Sequence, residues 1–168
     1  GTSKNLNNSI ASTDRNNSGY NASLEATFRH RFKKKGRTYS IAFNPGKSVN
    51  DGTTSNYSIN NFFNTTTPYA DTINQVGITN RDSKTMNATF SFTEPIGKNQ
   101  IIEFNYNYNS NVNNSGTQTF SYNKANGQYD IAVPNLTNAF ENTFNSNRVT
   151  LNYRLQNAKY NFSIGAGI

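Results

Sequence analysis

The chain has 168 residues and carries 16 Lys and Arg against 9 Asp and Glu, a net charge of +7. It contains no Cys, which excludes a disulfide framework and a thiolate metal site. Its mean hydropathy is −0.81, yet 13% of its residues are aromatic, and that aromatic content argues against a disordered chain.

The first expected hairpin, about 20–44, opens with NASLEATFRHRF, which sets Ala22, Leu24, Ala26, Phe28 and Phe32 against Ser23, Glu25, Thr27, Arg29 and Arg31. After KKKG, the segment RTYSIAFN alternates again with Tyr39, Ile41 and Phe43 on one side. Period-two alternation of this length signals a half-buried strand. The dense basic run RHRFKKKGR therefore reads as a solvated hairpin turn between two strands. A polar segment, about 45–83, follows and is expected to be a long loop into which strands extend.

The second hairpin, about 84–110, alternates through Met86, Ala88, Phe90 and Phe92, turns at Pro95 and Gly97, and resumes with Ile102, Phe104, Tyr106 and Tyr108. A second long loop, about 111–145, carries an Asn126-Gly127 hairpin signal between alternating arms. The third hairpin, about 146–168, pairs Val149, Leu151, Tyr153 and Leu155 with Tyr160, Phe162, Ile164, Ala166 and Ile168 across the turn QNAK. Its turn, like Gly36 and Gly97, falls on a spacing of about 61 residues, a repeat of strand, short turn, strand and long connection. The expected fold is all-β, an antiparallel meander of long hairpins.

Two media suit the apolar face. In a soluble protein it would pack against a second layer, and two long polar loops leave little to build one. In an outer-membrane β-barrel, lipid covers it, while water, polar side chains or a plug fill the lumen. No apolar stretch approaches the roughly 20 residues of a membrane helix, and GTSKNLNNSI has no signal-peptide core. A barrel strand needs only about 9–11 alternating residues.

The order TFRHRFKKKGRTYSIAFNPGKSVNDG, then ITNRDSKTMNATFSFTEPIGKNQIIEFNYNYN, then NRVTLNYRLQNAKYNFSIGAGI resembles the barrel portion of Bacteroidetes outer-membrane β-barrel proteins of the TonB-dependent-receptor type. The resemblance lies in strand texture and phrase order across nearly the whole chain. It implies residence in a Gram-negative outer membrane, lipid contact, a plug domain, an inner-membrane energy-coupling partner and uptake of a nutrient or other ligand. The family's plug and coupling segment are not visible in this chain, and residues 1–168 read as a single barrel segment, a fragment of a larger barrel. The alternative is a soluble or surface-exposed β-rich binding or adhesion module with loop-borne ligand binding.

No catalytic constellation is present, so no enzymatic activity, cofactor or metal is expected. His30, the one histidine, lies on the apolar side between Arg29 and Arg31 and reads as a boundary residue. Glu25, Glu94 and Glu103 are dispersed among strands. The candidate binding residues are Arg29, Arg31, Glu103, Arg148 and Arg154 on the polar side, where pairing with one another is the first expectation, and the loop aromatics Tyr57, Phe62, Phe63 and Tyr69. Gly165 and Gly167 suggest a close approach or a bend. Without a clustered basic and aromatic platform, nucleic acid is not expected as a partner.

Overall fold

The computed structural model describes residues 7–63 and 67–168. It is all-β. The strands are β1 (Asn7–Ser23), β2 (Ala26–Arg31), β3 (Thr38–Phe62), β4 (Tyr69–Gly97), β5 (Gln100–Asn123), β6 (Gln128–Ala132), β7 (Asn138–Gln156) and β8 (Asn161–Gly167), with a 3-10 turn at Pro134–Leu136. Among the described residues they form one eight-stranded sheet in the order β1-β3-β4-β5-β7-β8, with β2 also on β3 and β6 also on β5. This is the expected meander, and its order runs from β1 at one edge to β8 at the other without closing.

The three hairpins stand where alternation put them. Phe28 pairs with Ile41 and Ala26 with Phe43, and in the last hairpin Leu151 pairs with Ala166 and Tyr153 with Ile164. The two long loops are corrected. Most of 45–83 belongs to β3 and β4, and most of 111–145 to β5, β6 and β7. Parts of these extensions, such as residues 109–117, escape a search for alternation because they are polar on both faces. Cross-strand hydroxyl and amide pairs hold them instead, as in Thr79–Thr117 at 3.2 Å and Gln75–Ser121 at 3.3 Å. The part of β1 before the first expected hairpin shows no apolar alternation and was missed. Ser9 donates to Asn60 and Thr13 to Asn56, tying this polar strand to β3. Residues 1–6 lie outside the described residues.

β1 and β2 are two parts of one edge, separated at Leu24 and Glu25. Leu24 N–H donates to the Pro45 carbonyl at 3.0 Å, and the return bond cannot form because proline has no N–H. The break in the ladder is thus written at Pro45.

The chain divides into two compact units. The first comprises the described residues of Gly1–Tyr20, Val49–Asp82 and Asn114–Glu141; the second comprises Asn21–Ser48, Ser83–Asn113 and Asn142–Ile168. In the first, the stretch after β6 folds onto β5. Thr119, 8% exposed, donates through Oγ1 to the Leu136 carbonyl and accepts at its own carbonyl from Val133 N–H. In the second, the aromatic hairpins meet side by side. No hydrophobic side chain is buried among the described residues.

Short turns set the register. Arg37 N–H donates to the Lys34 carbonyl, with Gly36 at φ +87 in the position that requires a left-handed backbone. The second hairpin closes through Lys98 and Asn99, the two residues between β4 and β5, the latter at φ 66 in the left-handed region. The Asn126-Gly127 hairpin also forms, but as a longer loop: Gly127 N–H reaches the Asn123 carbonyl at 2.8 Å, and of the pair only Gly127 has positive φ. Asn99→Gly should leave stability unchanged or raise it, whereas Asn99→Ala should lower it by about 1 kcal/mol. Chemical unfolding of the two variants measures the difference.

Candidate functional site

The second unit presents two chemically opposed faces. On one, rings from four neighbouring strands touch in sequence: Phe28 and Phe32 each lie 5.8 Å from Tyr39, Phe32 lies 6.5 Å from Phe92, Tyr39 lies 6.5 Å from Phe90, and Phe90 lies 6.3 Å from Phe104. These offset and edge contacts are the arrangement that aromatic quadrupoles favour. The same face continues through Leu151 on β7 and Ile164 on β8, which are 53% and 59% exposed. His30 belongs to it as well, with its ring 4.8 Å from Phe32 and 5.3 Å from Tyr39.

The opposite face is a ladder of polar side chains. Asn109 donates to Asn87, Thr89 to Asn107 at 3.0 Å, and Ser91 to Asn105 at 2.6 Å. Asn105 in turn donates to Glu103 at 2.7 Å, and Asn152 on β7 reaches the same carboxylate at 3.4 Å. The Asn87–Asn109, Thr89–Asn107 and Ser91–Asn105 pairs join β4 to β5 across the strand gap, so the pairing also specifies the register.

The polar candidates share this side but do not converge. Arg29 and Arg31 stand opposite Ser40 and Thr38 and line a groove of about 400 Å³ between β2 and β3. Glu103 is on β5, three strand spacings away, or about 14 Å. Arg154 is two residues beyond Asn152 on β7, and Arg148 is four residues before it, about 13 Å along the strand. The expected mutual pairing is not formed: Glu103 is held by two asparagines.

The expected loop aromatics are mostly strand residues. Tyr57 and Phe62 lie in β3, five residues apart and so on opposite faces, and Phe63 follows the strand's last residue. Phe62 stacks on Tyr69, the first residue of β4, at 4.8 Å and 19°. Tyr57 instead lines a cleft of about 410 Å³ in the first unit with Thr72, Asn74, Tyr122 and Lys124. Nearby, Tyr129 packs edge-on against Tyr122 at 5.3 Å and donates to Asn74 at 2.8 Å. The alternating arms around Asn126-Gly127 were the sequence signal for Tyr122 and Tyr129.

Gly165 and Gly167 are accounted for within the sheet. A Cβ on Gly165 would come within 2.1 Å of Asn152 Oδ1, and one on Gly167 within 2.9 Å of the Val149 carbonyl. The cross-strand partners occupy the space that a side chain would need.

The strongest electrostatic feature was dispersed in the sequence. Glu94 lies beyond Phe92 at the turn end of β4 and receives Arg37 Nε at 2.6 Å, Arg37 Nη2 at 2.8 Å and Lys34 Nζ at 2.6 Å. Arg37 also sits 5.8 Å from the centre of the Phe32 ring, capping the aromatic face. The hydrogen bond from Arg37, then that from Lys34, holds the Glu94 carboxyl down at about 2. Because the folded value is below the ordinary one, the stabilisation is present above about pH 4.5 and is lost as pH falls through about 2. Glu94→Gln should lower the melting temperature at neutral pH, and its difference from the parent should shrink progressively below pH 4. Parallel thermal melts across that range test this. Neither a protein-family model nor a curated protein matches the chain.

Proposed function

We propose that the chain is a wall segment of an outer-membrane β-barrel, of the type that takes up a nutrient or other ligand in TonB-dependent receptors. The observation that carries this reading is the two-faced second unit, with aromatic and aliphatic side chains from six strands on one side and a hydrogen-bonded polar ladder on the other. Lipid is the medium that suits an apolar face of this breadth with no second layer against it among the described residues. The polar ladder suits an aqueous or plugged lumen.

Strand length agrees with this reading. β4, β5 and β7 each give the second unit 14 or 15 residues. At about 3.4 Å per residue and a tilt near 45°, these rise by roughly 34 Å, enough to cross an apolar band of about 25 Å. The unpaired arginines of the polar side, Arg29, Arg31, Arg148 and Arg154, would face the lumen, where they contact solute or plug. The short hairpin turns would face the periplasm and the longer connections the exterior.

The soluble binding module requires the apolar face to be covered by protein. Its best support is the tyrosine-lined cleft of the first unit. The barrel reading accounts for the larger feature, the ring-to-ring apolar face, and is preferred on that ground.

The two faces give an asymmetric test. Diluted from urea into phosphatidylcholine vesicles, the chain should acquire protease-protected strands. Phe90→Arg should reduce the protected fraction at least tenfold, since arginine within a lipid-facing band costs about 2–4 kcal/mol. Thr89→Arg, one residue away on the polar face, should have little effect. Equal tolerance of both substitutions, or a stable monomeric fold in water without lipid or detergent, would overturn the proposal.

A further inference from the structure

Three hairpin turns of the second unit are bound together at one end. The 33–37 turn is joined to β4 through Glu94, and a Cβ on Gly36 would touch the Pro95 ring at 3.4 Å. The 97–99 turn is joined to the third hairpin, where Asn99 Nδ2 donates to Asn157 Oδ1 at 2.9 Å and Gln156 N–H donates to the Asn99 carbonyl at 2.9 Å. This end carries Lys33, Lys34, Lys35, Arg37, Lys98 and Lys159, offset by Glu94 alone. Six cations less one carboxylate leave five positive charges of the chain's net +7. Glu94 engages Lys34 and Arg37, so Lys33, Lys35, Lys98 and Lys159 remain directed to their surroundings.

These lysines border the apolar face. Arg37 lies over the Phe32 ring, while Tyr160, beside Lys159, is 60% exposed and Ile96, two residues from Lys98, is 51% exposed. An aromatic next to a long basic side chain is the composition of a membrane interface, where the alkyl stem stays with the apolar layer and the ammonium reaches the phosphates. Continuity with the apolar face and the sign of the charge favour one occupant.

We propose that the basic turn end docks on the anionic phospholipid headgroups of the leaflet it meets and thereby favours association with an acidic membrane surface. This rests on the barrel reading. A lysine near an anionic surface is worth about fivefold in partitioning, and the effect is screened by salt.

The test compares the chain with a variant in which Lys33, Lys35, Lys98 and Lys159 are all changed to Gln, and with one in which all four are changed to Arg. Each is diluted from urea into phosphatidylcholine vesicles with and without 30% phosphatidylglycerol, and vesicle flotation and protease protection are read. Phosphatidylglycerol should raise association of the parent at least tenfold, and this gain should disappear with the Gln variant, persist with the Arg variant and weaken in high salt. Protection in neutral vesicles with no response to phosphatidylglycerol would overturn this proposal and leave the barrel reading standing. No protection in either vesicle would overturn the barrel reading and, with it, the headgroup proposal. Stronger inhibition by inorganic phosphate than by sodium chloride at equal ionic strength would show that the turns take free phosphate, and would overturn the lipid assignment.

Discussion

Everything in this sheet depends on register. Side chains along a strand alternate between faces, so a slip of one residue would carry Phe90 and Phe104 to the polar side and Thr89 and Asn107 to the apolar one. A slip of two would keep the faces but break the partnerships of Ser91 with Asn105 and Thr89 with Asn107. Two kinds of device therefore operate together. Tight turns at Gly36 and Asn99 exclude the single slip, and matched amides and hydroxyls disfavour the double one. Glu94 adds a third by tying one hairpin to the next through Arg37 and Lys34.

The same logic explains the chain's unusual composition. Aliphatic residues are few and aromatic residues make up 13% of the chain. Among the described residues the apolar side chains spread over a surface without a buried hydrophobic centre, and the Asn, Ser and Thr residues build the other surface from hydrogen bonds. Low hydropathy and high aromatic content are thus compatible, since in the second unit the aromatic rings gather on one face and polar side chains on the other.

What could be read from the sequence was the part in which the two faces differ. Met86 to Phe92, Ile102 to Tyr108 and Val149 to Leu155 announce their strands because polar and apolar residues take turns. Residues 109–117 and residues 7–19 of β1 announce nothing, since a mostly polar strand has the composition of a loop; their pairing is visible only once a partner strand is beside them. The candidate charged cluster failed for a related reason. Alternation correctly assigned Arg29 and Glu103 to one side, but strand order fixes their separation across the sheet. The Glu94 clamp was hidden because its members are 57 and 60 residues apart, with no local pattern to connect them.

β8 lies at the edge of the hydrogen-bonding order, with β7 on one side and no described strand on the other. Such an edge offers a row of amides and carbonyls to any extended chain, and this one carries Phe162 and Ile164 beside it. With a neighbouring strand in place, it is a seam. Without one, it is a template for a second copy, and stacking of copies edge to edge has no built-in stopping point. The same ladder that extends the sheet would then extend it into a fibre.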